Sequence, residues 1–103
     1  MSEYHSLGNI ITNAIKEKRI IEFDYDGYHR IAEPHVYGTV GGKHELLIYQ
    51  IVGRSSSGRL PDWRRMKLKK ITNLMFTGQY FEGKRESSSG IHSSFDRRFA
   101  IVN

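Results

Sequence analysis

The chain contains no cysteine, which excludes a disulfide framework, a thiol nucleophile and a thiolate metal site. A secreted domain this small usually needs such cross-links, so their absence points to an intracellular, cytoplasmic protein. No stretch approaches the roughly 20 apolar residues of a membrane span. Met1 to Ile15 carries polar residues at every second or third position, unlike the apolar centre of a signal peptide. No internal repeat is present. None of the histidines His5, His29, His35, His44 and His92 lies in a metal-binding spacing, and His29 and His35 are expected on hairpin surfaces. Gly38 to Lys43 fails the spacing of a phosphate loop and reads as a hairpin turn. No serine sits in a nucleophile elbow. Asp24 and Asp26 would serve as a carboxylate pair, yet a strand end followed by an Asp-Gly turn accounts for both. The expectation is a protein that is not an enzyme and carries no cofactor.

What is present fits one small domain. The 103 residues are 38% hydrophobic, 26% charged and 12% aromatic, an ordinary globular composition. Lys and Arg exceed Asp and Glu by 16 to 11, a formal charge of +5. That excess favours an anionic partner, although a charge of about 2–8 also simply keeps a small domain soluble.

Leu7, Ile10, Ile11, Ala14 and Ile15 recur with helical spacing, which predicts a helix over residues 3–18, capped by Ser2 or Ser6. The period then changes. Ile21, Phe23 and Tyr25 alternate with Glu22 and Asp24, the pattern of a half-buried strand, and Asp26-Gly27 is a hairpin turn. A second strand starts near His29 and continues past Pro34 to Val40. Pro34 places it at an edge or in a bulge, because proline cannot donate to the ladder. After the Gly41-Gly42 turn, Glu45 to Val52 is nearly all apolar and reads as a central strand. A loop follows from Gly53 to Pro61, then a fourth strand over Trp63 to Leu68, a turn over Lys69 to Thr72 and a fifth strand over Asn73 to Thr77.

The predicted class is mainly β, an α+β arrangement of one N-terminal helix and a five-stranded antiparallel, partly open small barrel. Residues 1–81 form the helix-plus-barrel domain, 82–92 have linker composition, and 93–103 form a C-terminal segment. Its apolar end, Phe99 to Val102, adds a strand either to this barrel or to a neighbour's.

Basic residues concentrate between Arg54 and Lys70, where Arg54, Arg59, Arg64, Arg65, Lys67, Lys69 and Lys70 stand beside one acid, Asp62. A strand from Trp63 to Lys69 places Trp63, Arg65, Lys67 and Lys69 on one face. Spaced cations beside an aromatic ring suit single-stranded nucleic acid, with cations on phosphates and the ring on a base. A solvated basic face with Trp63 capping the core is the alternative. Arg64 falls on the opposite face with Met66 and Leu68, so it needs a partner, either a carboxylate such as Asp62 or Glu33 or an anionic ligand.

The order of these features resembles the WYL domain, a family of Sm/SH3-like barrels found mainly in bacteria. The residues that carry the resemblance are Ala14-Ile15, Ile21 to Gly27, Arg30, Pro34, Leu46 to Tyr49, Arg64 to Ile71, Thr77-Gly78 and Phe81. The triplet that names the family falls on His44-Glu45-Leu46. The resemblance implies a non-enzymatic regulatory module that senses a negatively charged ligand, such as a nucleotide or single-stranded nucleic acid. Carried over by position, it implies ligand contacts at Tyr25, Arg30, His44 and Arg64. Trp63, Arg65, Lys67 and Lys69 extend that set on the basic strand. WYL domains usually follow a helix-turn-helix region; one helix precedes the barrel here, the expectation for a stand-alone domain. The competing expectation is an assembly module, a homo-oligomer included, acting through Phe99 to Val102 and an open barrel edge.

Overall fold

The computed structural model describes residues 3–53, 60–85 and 95–103. Six strands follow one helix: α1 (Glu3–Glu17), β1 (Arg19–Tyr25), β2 (Tyr28–Val40), β3 (Lys43–Gly53), β4 (Asp62–Lys67), a single 3-10 turn (Leu68–Lys70), β5 (Thr72–Tyr80) and β6 (Arg97–Ile101). Residues 54–59, with Arg54 and Arg59, lie outside the described residues, as do the 86–92 part of the expected linker and His92. The side chains of Ser2 and His5 lie outside them too.

The helix buries the stripe its sequence predicts. Ile11, Ala14 and Ile15 are at most 1% exposed, while Ile10, at the margin of the stripe, is 40% exposed. Lys18 then turns the chain with a φ of 57°. Two-residue turns of left-handed backbone join the next three strands: Asp26-Gly27 has φ of 52° and 81°, and Gly41-Gly42 has 58° and 77°. Such turns match the right-handed twist of paired strands, so they set the register. Tyr25 pairs with Tyr28, and Val40 with Lys43.

The strand order is β4-β3-β2-β1-β5, all antiparallel, with β6 also paired to β2. β2 is 13 residues long and holds the fold together. β3 runs along one side of it from Arg30 to Val40. The other side is shared: residues 28–32 pair with β1, and residues 36–39 pair with β6. The chain changes direction between these halves at a bulge, where Pro34 pairs with Ile48 and Val36 with Leu47, leaving His35 as the extra residue. Of the two expectations for Pro34, the bulge is the one observed.

Among the described residues β4 and β5 end the path without pairing to each other, so the sheet is not closed. Its curvature nevertheless brings the end of β1 to β4, where the Lys67 amide donates to the Tyr25 hydroxyl at 3.1 Å. The main core lies between α1 and the concave face and contains Phe23, Leu46, Ile48, Met66, Leu68, Ala100 and Val102. A smaller cluster of Val36, Leu47 and Phe95, with Val40 and Trp63 against it, covers the opposite face.

Three expectations change. The sheet has six strands, not five, because Arg97–Ile101 joins this chain's own β2. His35 is fully buried instead of lying on a hairpin surface, because the bulge turns it inward. Lys69 does not continue the face of Trp63, Arg65 and Lys67: β4 ends at Lys67, and the 3-10 turn that follows seats Leu68 in the core. No described helix is long and apolar enough to cross a membrane.

Candidate anion-binding site

Alternation along the paired strands decides which of the predicted residues meet. Tyr25, Arg30, Gln50 and Arg64 all fall on the concave face, because Tyr25 pairs with Tyr28, Ala32 with Gln50, and Ile48 with Arg64. Their strands bring them to one end of that face. Arg30 is 6% exposed and Gln50 is fully buried. Arg30 Nη1 donates to Gln50 Oε1 at 3.2 Å, and Nη2 donates to the Tyr25 carbonyl at 3.2 Å. Its guanidinium carbon stands 5.3 Å from the centre of the Tyr25 ring and 5.9 Å from that of Tyr28.

The electrostatics of this group are unusual for a buried arginine. Charged side chains taken out of water normally pair with an opposite charge. Both hydrogen-bond acceptors of Arg30 are neutral, and its buried Nε has no hydrogen-bond partner among the described residues. Burial lowers its pKa, Asp26 opposes that shift, and the nearby charge of Arg64 lowers it further. Arg64 has an ion pair with Asp62 at 3.7 Å. Two guanidinium groups therefore converge on one end of the concave face, one of them buried among neutral acceptors.

Tyr25 is itself only 8% exposed, so its ring is a wall of the site. Tyr28 is 41% exposed and presents the accessible aromatic surface beside Arg30. Neither Gln50 nor Tyr28 was singled out by the sequence. The available signals are a lone polar residue within the apolar run from Leu46 to Val52, and an aromatic directly after an Asp-Gly turn.

The remaining predicted residues lie elsewhere. Trp63 is on the opposite face, edge-on to His35 at 4.8 Å and to Tyr49 at 5.1 Å between ring centres, so it caps the smaller cluster. Arg65 shares that face, where it pairs with Glu45 at 3.6 Å and lies 4.4 Å over the Phe95 ring. His44 accompanies Lys67 and Lys69 around a separate pocket at the β2–β3 hairpin. The row read as a single basic track is thus divided between the opposite face, with Trp63 and Arg65, and a hairpin pocket, with Lys67 and Lys69.

The Asp24 and Asp26 carboxylates are engaged separately. Asp24 meets His29 Nδ1 and Asn73 Nδ2, both at 2.9 Å, while Asp26 pairs with Lys70 at 3.5 Å. Among the described residues no group of His, Cys, Asp and Glu is arranged to hold a metal ion. No family model, no curated protein and no solved structure matches the chain, so the WYL resemblance rests on the residues that carry it.

Proposed function

We propose that the protein is a non-enzymatic, WYL-like regulatory module with an Sm/SH3-like barrel, and that it binds an anionic ligand, a nucleotide or single-stranded nucleic acid, between Arg30 and Arg64. The observation that carries this reading is the buried Arg30 guanidinium, which has neutral acceptors and a second guanidinium nearby. An anion placed there adds a negative charge to the one Asp26 supplies and offers acceptors to the Arg30 fork. Tyr28 then offers its face to a base. Titration calorimetry against a short single-stranded DNA, an RNA and a panel of nucleotides tests the reading. Saturable binding that weakens as salt rises supports it. No binding to any of these by the folded protein refutes it.

A second reading, an assembly module, is favoured by one feature. β5 is nine residues long without a single charge, and among the described residues it pairs only with β1. It exposes Met75, Phe76 and Tyr80. Edge strands usually carry protecting charges, as β4 does with Asp62, Arg64, Arg65 and Lys67. Homo-oligomer formation through this edge predicts that Phe76→Lys yields a monomer by sedimentation; an unchanged oligomer dismisses β5 as the interface. The apolar C-terminal segment is a weaker candidate, since Ala100 and Val102 are consumed by this chain's own core.

A further inference from the structure

A second group of cations stands apart from Arg30. A pocket of about 420 Å³ is lined by Gly42, Lys43, His44, Lys67 and Lys69, with no carboxylate in its wall among the described residues. Glu45, which pairs in register with Lys67, is turned to Arg65 at 3.6 Å.

Each cation stands on anchored backbone. The hairpin tip before Lys43 is pinned where the Gly41 amide donates to Asp96 Oδ2 at 2.6 Å and the Asp96 amide donates to the Thr39 carbonyl at 2.9 Å. The Lys67 amide is bonded to the Tyr25 hydroxyl at 3.1 Å. Lys69 follows Leu68, which is 1% exposed and fixes the 3-10 turn in the core. The His44 ring is held by a 2.6 Å hydrogen bond between Nδ1 and the Tyr37 hydroxyl, and it lies 5.6 Å from the Phe99 ring.

Three lysines and His44 border one cavity, a local excess of positive charge that attracts a multiply charged anion. Lysine acts as a point charge on phosphate and needs no planar partner. We propose that this pocket binds the terminal phosphate group of the ligand, separately from the anion held by Arg30 and Arg64. A terminal phosphate monoester carries nearly two negative charges at neutral pH, against one for an internal diester, so three lysines favour a chain end over a chain interior. The proposal rests on the reading that the domain binds an anionic ligand.

Short single-stranded oligonucleotides with and without a terminal phosphate, fluorescently labelled at the other end, test it by anisotropy at low salt. The wild-type protein should bind the phosphorylated oligonucleotide about tenfold more tightly. That preference should vanish in Lys43→Gln/Lys67→Gln/Lys69→Gln and return in the charge-keeping Lys43→Arg/Lys67→Arg/Lys69→Arg variant. Competition by a free nucleoside monophosphate that is kept in Arg30→Met and lost in the glutamine variant would support the pocket and identify a small nucleotide as the phosphate source. Competition by the phosphorylated oligonucleotide alone would support it and identify a nucleic-acid end. Binding without any phosphate preference, or a preference that survives in the glutamine variant, overturns this proposal and leaves the Arg30 reading standing. Absence of binding by either oligonucleotide or by nucleotides overturns both.

Discussion

The charge of Arg64 bears on the Arg30 guanidinium and, after burial, is the factor that lowers its pKa. Their two strands are not neighbours: Arg30 is on β2 and Arg64 on β4, with β3 between them. Gln50 of that middle strand accepts from Arg30. Gln50→Leu should therefore weaken ligand binding by removing the acceptor that orients the Arg30 fork, at a cost in stability of about 1–3 kcal/mol for the lost buried hydrogen bond. Comparing affinity and urea unfolding in the same variant separates the two effects.

Residues 81–85, beyond β5, are tied to the sheet by backbone hydrogen bonds and by an ion pair. Arg85 donates to both oxygens of Glu33 at 2.6 and 3.0 Å, and its amide donates to His35 Nε2 at 3.4 Å. Glu33 is 4% exposed, so losing its partner strands a buried carboxylate. Arg85→Ala should destabilise by about 1–3 kcal/mol, and Glu33→Gln added to it should recover part of that loss. Urea unfolding of the two single variants and the double measures the coupling.

The first hairpin should be sensitive to pH. His29 sits between Asp24 at 2.9 Å and Glu22 at 3.2 Å, and its pKa is raised above 6.5, chiefly by the hydrogen bond to Asp24. Its contribution is therefore fully present below 6.5 and is lost as pH rises through the raised folded value. The Asp24 pKa is lowered below 3.8, mainly by Asn73 and then by His29. The Asp24 contribution is present above 3.8 and is lost as pH falls through the lowered folded value. The difference in melting temperature between wild type and His29→Ala should be largest in mildly acidic buffer and shrink in alkaline buffer. A difference that grows with pH would contradict this sign.

Gly8 lies inside α1, where alanine normally stabilises by about 0.5–1 kcal/mol. A Cβ added there would meet the Tyr37 hydroxyl at 2.6 Å. That hydroxyl is the one bonded to His44, and burial raises its pKa. Gly8→Ala should accordingly fail to stabilise the protein and should shift the NMR signals of the His44 ring. A gain in melting temperature with unchanged His44 signals would show that the contact is slack.

How far the sequence reveals all this depends on the range of the interaction. The two glycine-containing turns and the strands beside them are local, and Asp26-Gly27 and Gly41-Gly42 announce them. Pro34 signals an edge or a bulge without deciding between them, and the bulge, at His35, reverses the inside-outside alternation from that point along β2. Leu68 misleads in a related way: extending the strand through it puts Lys69 on the face of Lys67, whereas the 3-10 turn takes over at Leu68. Phe99 to Val102 reads as a strand, but its partner, residues 36–39, is far away in sequence. At the candidate site, Tyr25, Arg30 and Arg64 are each visible in the sequence. Their convergence through Gln50 depends on register across three strand pairs and is not.

The Arg30→Met variant tests the central claim most directly, with stability and binding measured on the same sample. Methionine keeps much of the volume and removes a buried charge, while Gln50 Oε1 and the Tyr25 carbonyl lose their donor, so the two effects offset and stability should stay within about 1–2 kcal/mol of the wild type. Anion binding, followed by calorimetry with single-stranded DNA and nucleotides, should be lost. A variant that is clearly destabilised yet binds as tightly as the wild type would contradict the account and make Arg30 a structural residue.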